Sequence, residues 1–145
     1  MDERELHENE LDKNELAKLT QRTAEKLFGP PKDGVGPFAL WREFDPELAK
    51  QLSLFFTGRL YSREVLSQKQ RELCAVAALA ATGAQPELGV HCRAALNVGA
   101  THEEVAEVLF QVCTYAGLPA TIEGLRTLKQ VLQERDEWKP AGSQA

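Results

Sequence analysis

Glu87, His91 and Arg93 put an acid, an imidazole and a guanidinium within two helical turns of one another. Such groups can move protons and hold an anion. Glu87 and His91 are four residues apart, so on a helix they share a face. A carboxylate beside an imidazole favours its protonated form and fixes its tautomer, a general acid/base unit. The alternative is a structural pair on a solvated face. Arg93 follows His91 by two residues, about 200° around an ideal helix, and so points away from it. It is expected to bridge to an exposed acid, or to serve a pocket by reaching around or on a partner subunit. Arg71 and Glu72 open the preceding helix. Arg71 is a candidate carboxylate anchor, because guanidinium binds carboxylates in a two-point fork; the alternative is a solvated arginine at a helix start. Glu72 is expected in the first turn, where the helix dipole favours an acid. Burial of its end near His91 would instead make it part of the chemistry.

Other reactive side chains carry weaker signals. Cys74 and Cys113 sit in apolar helical runs and read as inert core residues. Cys92 adjoins His91, but successive helical residues point about 100° apart, a poor arrangement for a Cys–His nucleophile. Cys92 and Tyr115 remain possible pocket residues. The three His and three Cys show no metal-ligand spacing such as HxxxH, so no metal site is expected. His102 reads as a neutral imidazole in a helix N-terminal turn.

These groups are positioned by a chain that reads helical throughout, with no period-2 strand pattern. Leu6, Leu11, Leu16, Leu19 and Leu27 stripe a charged first segment, expected to dock late or on a neighbouring subunit. Gly29-Pro30-Pro31 stops it, and 32–37 is a loop. Asp45-Pro46 starts the next helix, where Leu48, Leu52, Phe55 and Phe56 share one face; Gly58 and 61–63 form its exit. Ser67 with Gln70, and Thr101 with Glu104, form two capping boxes. The helix after Ser67 is apolar from Leu73 to Ala81 and is expected to be buried all round. Thr82 to Gln85 is a turn, Pro86 opens the helix that carries His91, and Gly99 caps it. Gly117 breaks the following helix and Pro119 opens the last. The pairs 67–98 and 101–134 share a plan. From Trp138 a frayed tail is expected.

Length and composition bound the rest. The chain has 145 residues and few aromatics, so one domain, or a smaller core with extended ends, resting on Leu, Val and Ala is expected. Its net charge of −5 and lack of a basic stripe argue against nucleic-acid partners and anionic membrane surfaces. No run of about 18 apolar residues is present, so no membrane span is expected. The charged start is no signal peptide. Three widely spaced cysteines fit a reduced, cytoplasmic compartment.

The stretch from Phe55 to Leu132 resembles the carboxymuconolactone decarboxylase family, which includes the alkylhydroperoxidase D-like proteins. The residues that carry this are Arg71-Glu72-Leu73, ELGVHCRAALNVG from Glu87 to Gly99, EEVAEVL from Glu103 to Leu109, and YAGLPA from Tyr115 to Ala120. The resemblance implies an all-α, alkylhydroperoxidase D-like helical fold. It implies a homo-oligomer, trimer or hexamer among its forms, with the active site near a subunit interface. On that basis 1–36 is an N-terminal helical extension and loop, 37–138 the family domain and 139–145 a flexible tail.

In the peroxidase-like branch a Glu precedes a Cys-x-x-Cys pair, with a His four residues on. Glu72 and His91 stand in that frame, but Ala84 and Glu87 occupy the two cysteine places. A dithiol peroxidase needs both a thiolate to attack peroxide and a thiol to resolve it. The decarboxylase-like branch implies cofactor-free loss of CO₂ from a muconolactone carboxylate. There His91 would handle the proton, Glu87 would orient it, and Arg71 or Arg93 would hold a carboxylate. The leading expectation is therefore a cofactor-independent lyase or isomerase acting on a small carboxylated lactone or related acid. Peroxiredoxin-type activity and a non-catalytic small-acid binding protein are the alternatives.

Overall fold

The computed structural model describes residues 12–30 and 38–143. Leu6, Leu11 and the expected loop 32–37 lie outside them. Among the described residues every regular element is helical: α1 (Lys13–Phe28), α2 (Ala39–Phe44), α3 (Pro46–Ser53), a π-helix (Leu54–Leu60), α4 (Gln68–Thr82), α5 (Gln85–Asn97) and α6 (His102–Glu134). The chain divides into two compact units, Met1–Val65 and Leu66–Ala145.

In the first unit, α1 buries Leu16, Thr20, Thr23 and Leu27, a stripe recurring every three to four residues. It packs on the π-helix, where Gly58 is required: a Cβ there would collide with the Thr20 hydroxyl. Asp45 caps α3 by accepting from the Leu48 N–H at 2.9 Å, with Pro46 in the first turn. The expected shared face of Leu48, Phe55 and Phe56 stays largely exposed. The extra residue per turn of a π-helix rotates Phe55 and Phe56 off the line that α-helical spacing predicts.

The second unit is a three-helix arrangement around Val76, Ala80, Leu88, Cys92, Ala95, Val105, Leu109, Leu128, Val131 and Leu132. Both capping boxes form: Gln70 N–H to Ser67 Oγ at 3.2 Å, and Glu104 N–H to Thr101 Oγ1 at 3.1 Å, each with its reciprocal side-chain bond. Lys69 Nζ then joins Glu104 Oε1 at 2.6 Å, tying the starts of α4 and α6 together.

α6 is two limbs, because Gly117 holds a non-helical conformation at φ 86° and ψ 170°. The Thr121 hydroxyl donates to the Leu109 carbonyl at 3.2 Å. Residues twelve apart on a straight helix would be about 18 Å distant along the axis, so the limbs fold back on one another. By length and composition His102–Glu134 could cross a membrane, against the reading that no such segment exists. The fold at Gly117 divides it into two limbs, and Val105, Leu109, Leu128 and Leu132 on it are buried in the core of this unit.

The expectation that α4 is buried all round does not hold for this chain. Only Glu72, Val76 and Ala80 are fully buried on it. Helices α5 and α6 cover one side, so Cys74, assigned to the core, is exposed on the other. Past α6, Lys129 Nζ lies 5.2 Å from the centroid of the Trp138 ring, so the segment expected to fray is fastened at its start.

Candidate functional site

Helices α4 and α5 are joined by a turn at Gly83, whose φ of 74° lies in the left-handed region that favours glycine. The reversal lays α5 back along α4 and brings Glu72 and His91 together across 19 residues of chain. His91 Nδ1 lies 2.7 Å from Glu72 Oε2. The Glu72 side chain is 0% exposed and that of His91 19%. Glu72 Oε1 has no hydrogen-bond partner among the described residues.

A buried carboxylate is costly unless something compensates it. Here the compensation is one imidazole, and the carboxylate in turn fixes which ring nitrogen faces it. Glu72 lies beyond the first turn of α4, contrary to expectation. The dipole effect falls off within that turn and gives no account of this acid. Its role is set by the contact with His91.

Glu87, expected to orient His91, is exposed, and among the described residues no hydrogen bond or ion pair involves it. The local i,i+4 geometry is available, but the nearer and more buried partner comes from α4. Arg93 follows the bland expectation. Its Nη2 donates to Glu134 Oε2 at the surface, away from His91. That hydrogen bond, followed by one from Gln130, holds the Glu134 carboxyl below the usual range. Arg71 is half-buried one residue before Glu72.

Cys92 is fully buried in the core. Burial pushes its thiol up to about 12; Arg93 offsets this in part and Glu72 adds to it. A thiol so held stays protonated at neutral pH and is no nucleophile. Tyr115, a possible pocket residue, is 82% exposed just before the break at Gly117. His102 pairs with Glu103 at 2.9 Å on the surface. Among the described residues no three of His, Cys, Asp and Glu gather where a metal ion could be held.

The site therefore unites two of the expected residues, Glu72 and His91, with Arg71 adjacent. Glu87, Arg93, Cys92 and Tyr115 take no part in that contact. What reading by local spacing missed is the Glu72–His91 contact itself. The signal for it lay in the helix–turn–helix plan, which lays the middle of α5 against the N-terminal half of α4.

Known proteins resemble this chain over part of its length. A protein of Paracoccus denitrificans, described only as an uncharacterized 15.0 kDa protein in the nqo9-nqo10 intergenic region, is 38% identical over 91 residues, 61% of this chain and 67% of that one. The 4-carboxymuconolactone decarboxylase of Acinetobacter baylyi is 33% identical over 92 residues, 63% of this chain and 69% of the relative. The nitrosuccinic acid decarboxylase of Metarhizium robertsii is 31% identical over 77 residues, 53% of this chain and 54% of the relative. The sequence model of one family matches residues 46–130, more than half of the chain and the stretch that contains Glu72 and His91. This protein belongs to the carboxymuconolactone decarboxylase family.

Proposed function

We propose that this protein is a decarboxylase that removes CO₂ from a small carboxylated acid, with His91 carrying the proton and Glu72 holding the imidazole. The observation that carries the reading is the 2.7 Å contact between His91 Nδ1 and the fully buried Glu72. The names of two relatives support it, since one acts on a carboxymuconolactone and the other on a nitrosuccinic acid. Both compounds join a carboxylate to an electron acceptor, a lactone in one and a nitro group in the other.

The chemistry asks little of the protein. The bond between carbon and carboxylate breaks, CO₂ leaves, and the electron pair passes into the substrate's own acceptor group. A proton from the His91 imidazolium then closes the reaction at carbon, and solvent restores the imidazolium. Because the substrate accepts the electron pair, no cofactor is needed. Glu72 stabilises the imidazolium and fixes its orientation. Arg71 is the proposed anchor for the carboxylate that is retained.

The same reading includes self-association as a homo-oligomer. The exposed Phe110, Leu118 and Ile122 on α6 are the apolar side chains offered for that contact. Thiol peroxidase chemistry is disfavoured by Ala84 and Glu87 in the thiol places and by the protonated, buried Cys92.

The test is CO₂ release from 4-carboxymuconolactone and from nitrosuccinic acid. Turnover of at least one is expected, with Arg71→Ala raising KM roughly tenfold or more, the loss of a charge-assisted pair. Ligand-induced stabilisation without CO₂ release would favour a small-acid binding protein instead.

A further inference from the structure

Positions 85, 89, 93 and 97 of α5 recur every four residues and form one stripe of the helix. Two of them bond across to the second limb of α6, and a third to Arg135, which caps its end. Gln85 Oε1 accepts from the Thr127 hydroxyl at 2.7 Å. Arg93 donates to Glu134, whose other oxygen accepts from Gln130 at 3.0 Å. Asn97 Oδ1 accepts from Arg135 Nη1 at 2.9 Å. The fourth position is Gly89. A Cβ built there would lie 3.7 Å from the Thr127 methyl and 3.8 Å from Arg93 Nη1, so the seam closes over it without a side chain. His91 is two residues from both Gly89 and Arg93, about 200° around the helix, and faces α4 instead.

We propose that Arg93 is a positioning residue for His91. It acts through Glu134 by holding the rotation and height of α5, and it does not contact the substrate carboxylate. This rests on the reading of His91 as the proton carrier. A helix that bonds to α6 along one stripe can present the opposite stripe to Glu72 in only one register. Leu88, Cys92 and Ala95 are buried and fix how closely α5 packs. The polar seam adds discrete partners along the length of the helix. Glu134 and Arg135 lie just past the family-matched residues 46–130, at the end of α6.

Reversing the pair tests the proposal. Arg93→Glu, Glu134→Arg and the double variant are made in the full chain. Two signals are read: the hydrogen-bonded Nδ1–H of His91 by ¹⁵N-edited NMR, and kcat and KM for CO₂ release. Each single variant should broaden or shift the Nδ1–H signal and lower kcat roughly three- to tenfold, the scale of a sub-ångström misplacement, with KM within about twofold. The double variant should restore both. A double variant as impaired as Arg93→Glu, with KM raised, would make Arg93 a substrate contact and overturn the proposal. Unchanged His91 signals and kcat in both single variants would overturn it equally. Should the charge reversals fail to fold, Arg93→Gln and Glu134→Gln carry the same readouts. Full activity in His91→Ala would instead remove the proton-transfer reading, while the NMR signal would still decide whether Arg93 orients the helix.

Discussion

Among the described residues, helix α5 makes two ion pairs on opposite sides, Glu72–His91 and Arg93–Glu134, and they differ in almost every physical respect. Glu72–His91 has a carboxylate that is 0% exposed; Arg93–Glu134 has side chains 42% and 44% exposed. Water screens the second pair and charges entropy for holding two long side chains, so such pairs contribute little to stability. The first pair is removed from water, and its parts depend on each other: without the imidazole the carboxylate is stranded. The contrast teaches that chemical capability and ionic contact are separate questions. Both pairs are in direct ionic contact, yet only the buried one leaves a carboxylate oxygen unsatisfied, beside an imidazole.

The largest expected effect breaks the buried pair. His91→Ala should lower the unfolding free energy by about 3 kcal/mol, because Glu72 stays behind as an uncompensated buried charge. Adding Glu72→Gln to that variant should recover most of the loss in a denaturant titration. An equal loss in both would mean that packing, not the charge, set the cost. Next in size, Gly124→Ala should destabilise by about 1–3 kcal/mol through overpacking, since its Cβ would lie 2.6 Å from Leu109 Cδ2 across the folded limbs of α6.

Gly89→Ala, on the stripe of the exposed pair, should go the other way. It should stabilise by roughly 0.5–1 kcal/mol, since Ala is the better helix former and its Cβ meets only ordinary contacts. Destabilisation would show that the seam over Gly89 is tighter than its distances indicate. The smallest effect concerns the core beside His91. The Cys92 thiol, pushed up to about 12, remains neutral until the pH approaches that value. Iodoacetamide at pH 8 should therefore label the exposed Cys74 and leave Cys92 intact, read by mass spectrometry. Rapid Cys92 labelling of the folded protein would reopen thiol chemistry at this site.

Local chemistry made much of the fold legible. Both capping boxes, Pro46 at a helix start and the break at Gly117 are all signals carried by a few neighbouring residues, and each reports its own backbone. The π-helix at Leu54–Leu60 was not legible, because no residue type demands one. The partner of His91 was only half legible. Spacing offered Glu87, four residues away, whereas the partner in the fold is 19 residues away and depends on how one turn reverses the chain. The resemblance had already set Glu72 and His91 in a common frame, without saying that they touch. Cys74 was misplaced for a related reason. An apolar run shows that a helix has something to bury, but not which of its sides the neighbours cover.

The central claim is that the buried Glu72–His91 pair performs the proton transfer of a decarboxylation. Its most direct test is the rate of CO₂ release by His91→Ala relative to the parent chain, on whichever carboxylated substrate the parent turns over. The account predicts a fall of roughly 100-fold or more, the usual contribution of a positioned general acid. A variant that folds and releases CO₂ at the parent rate would contradict it.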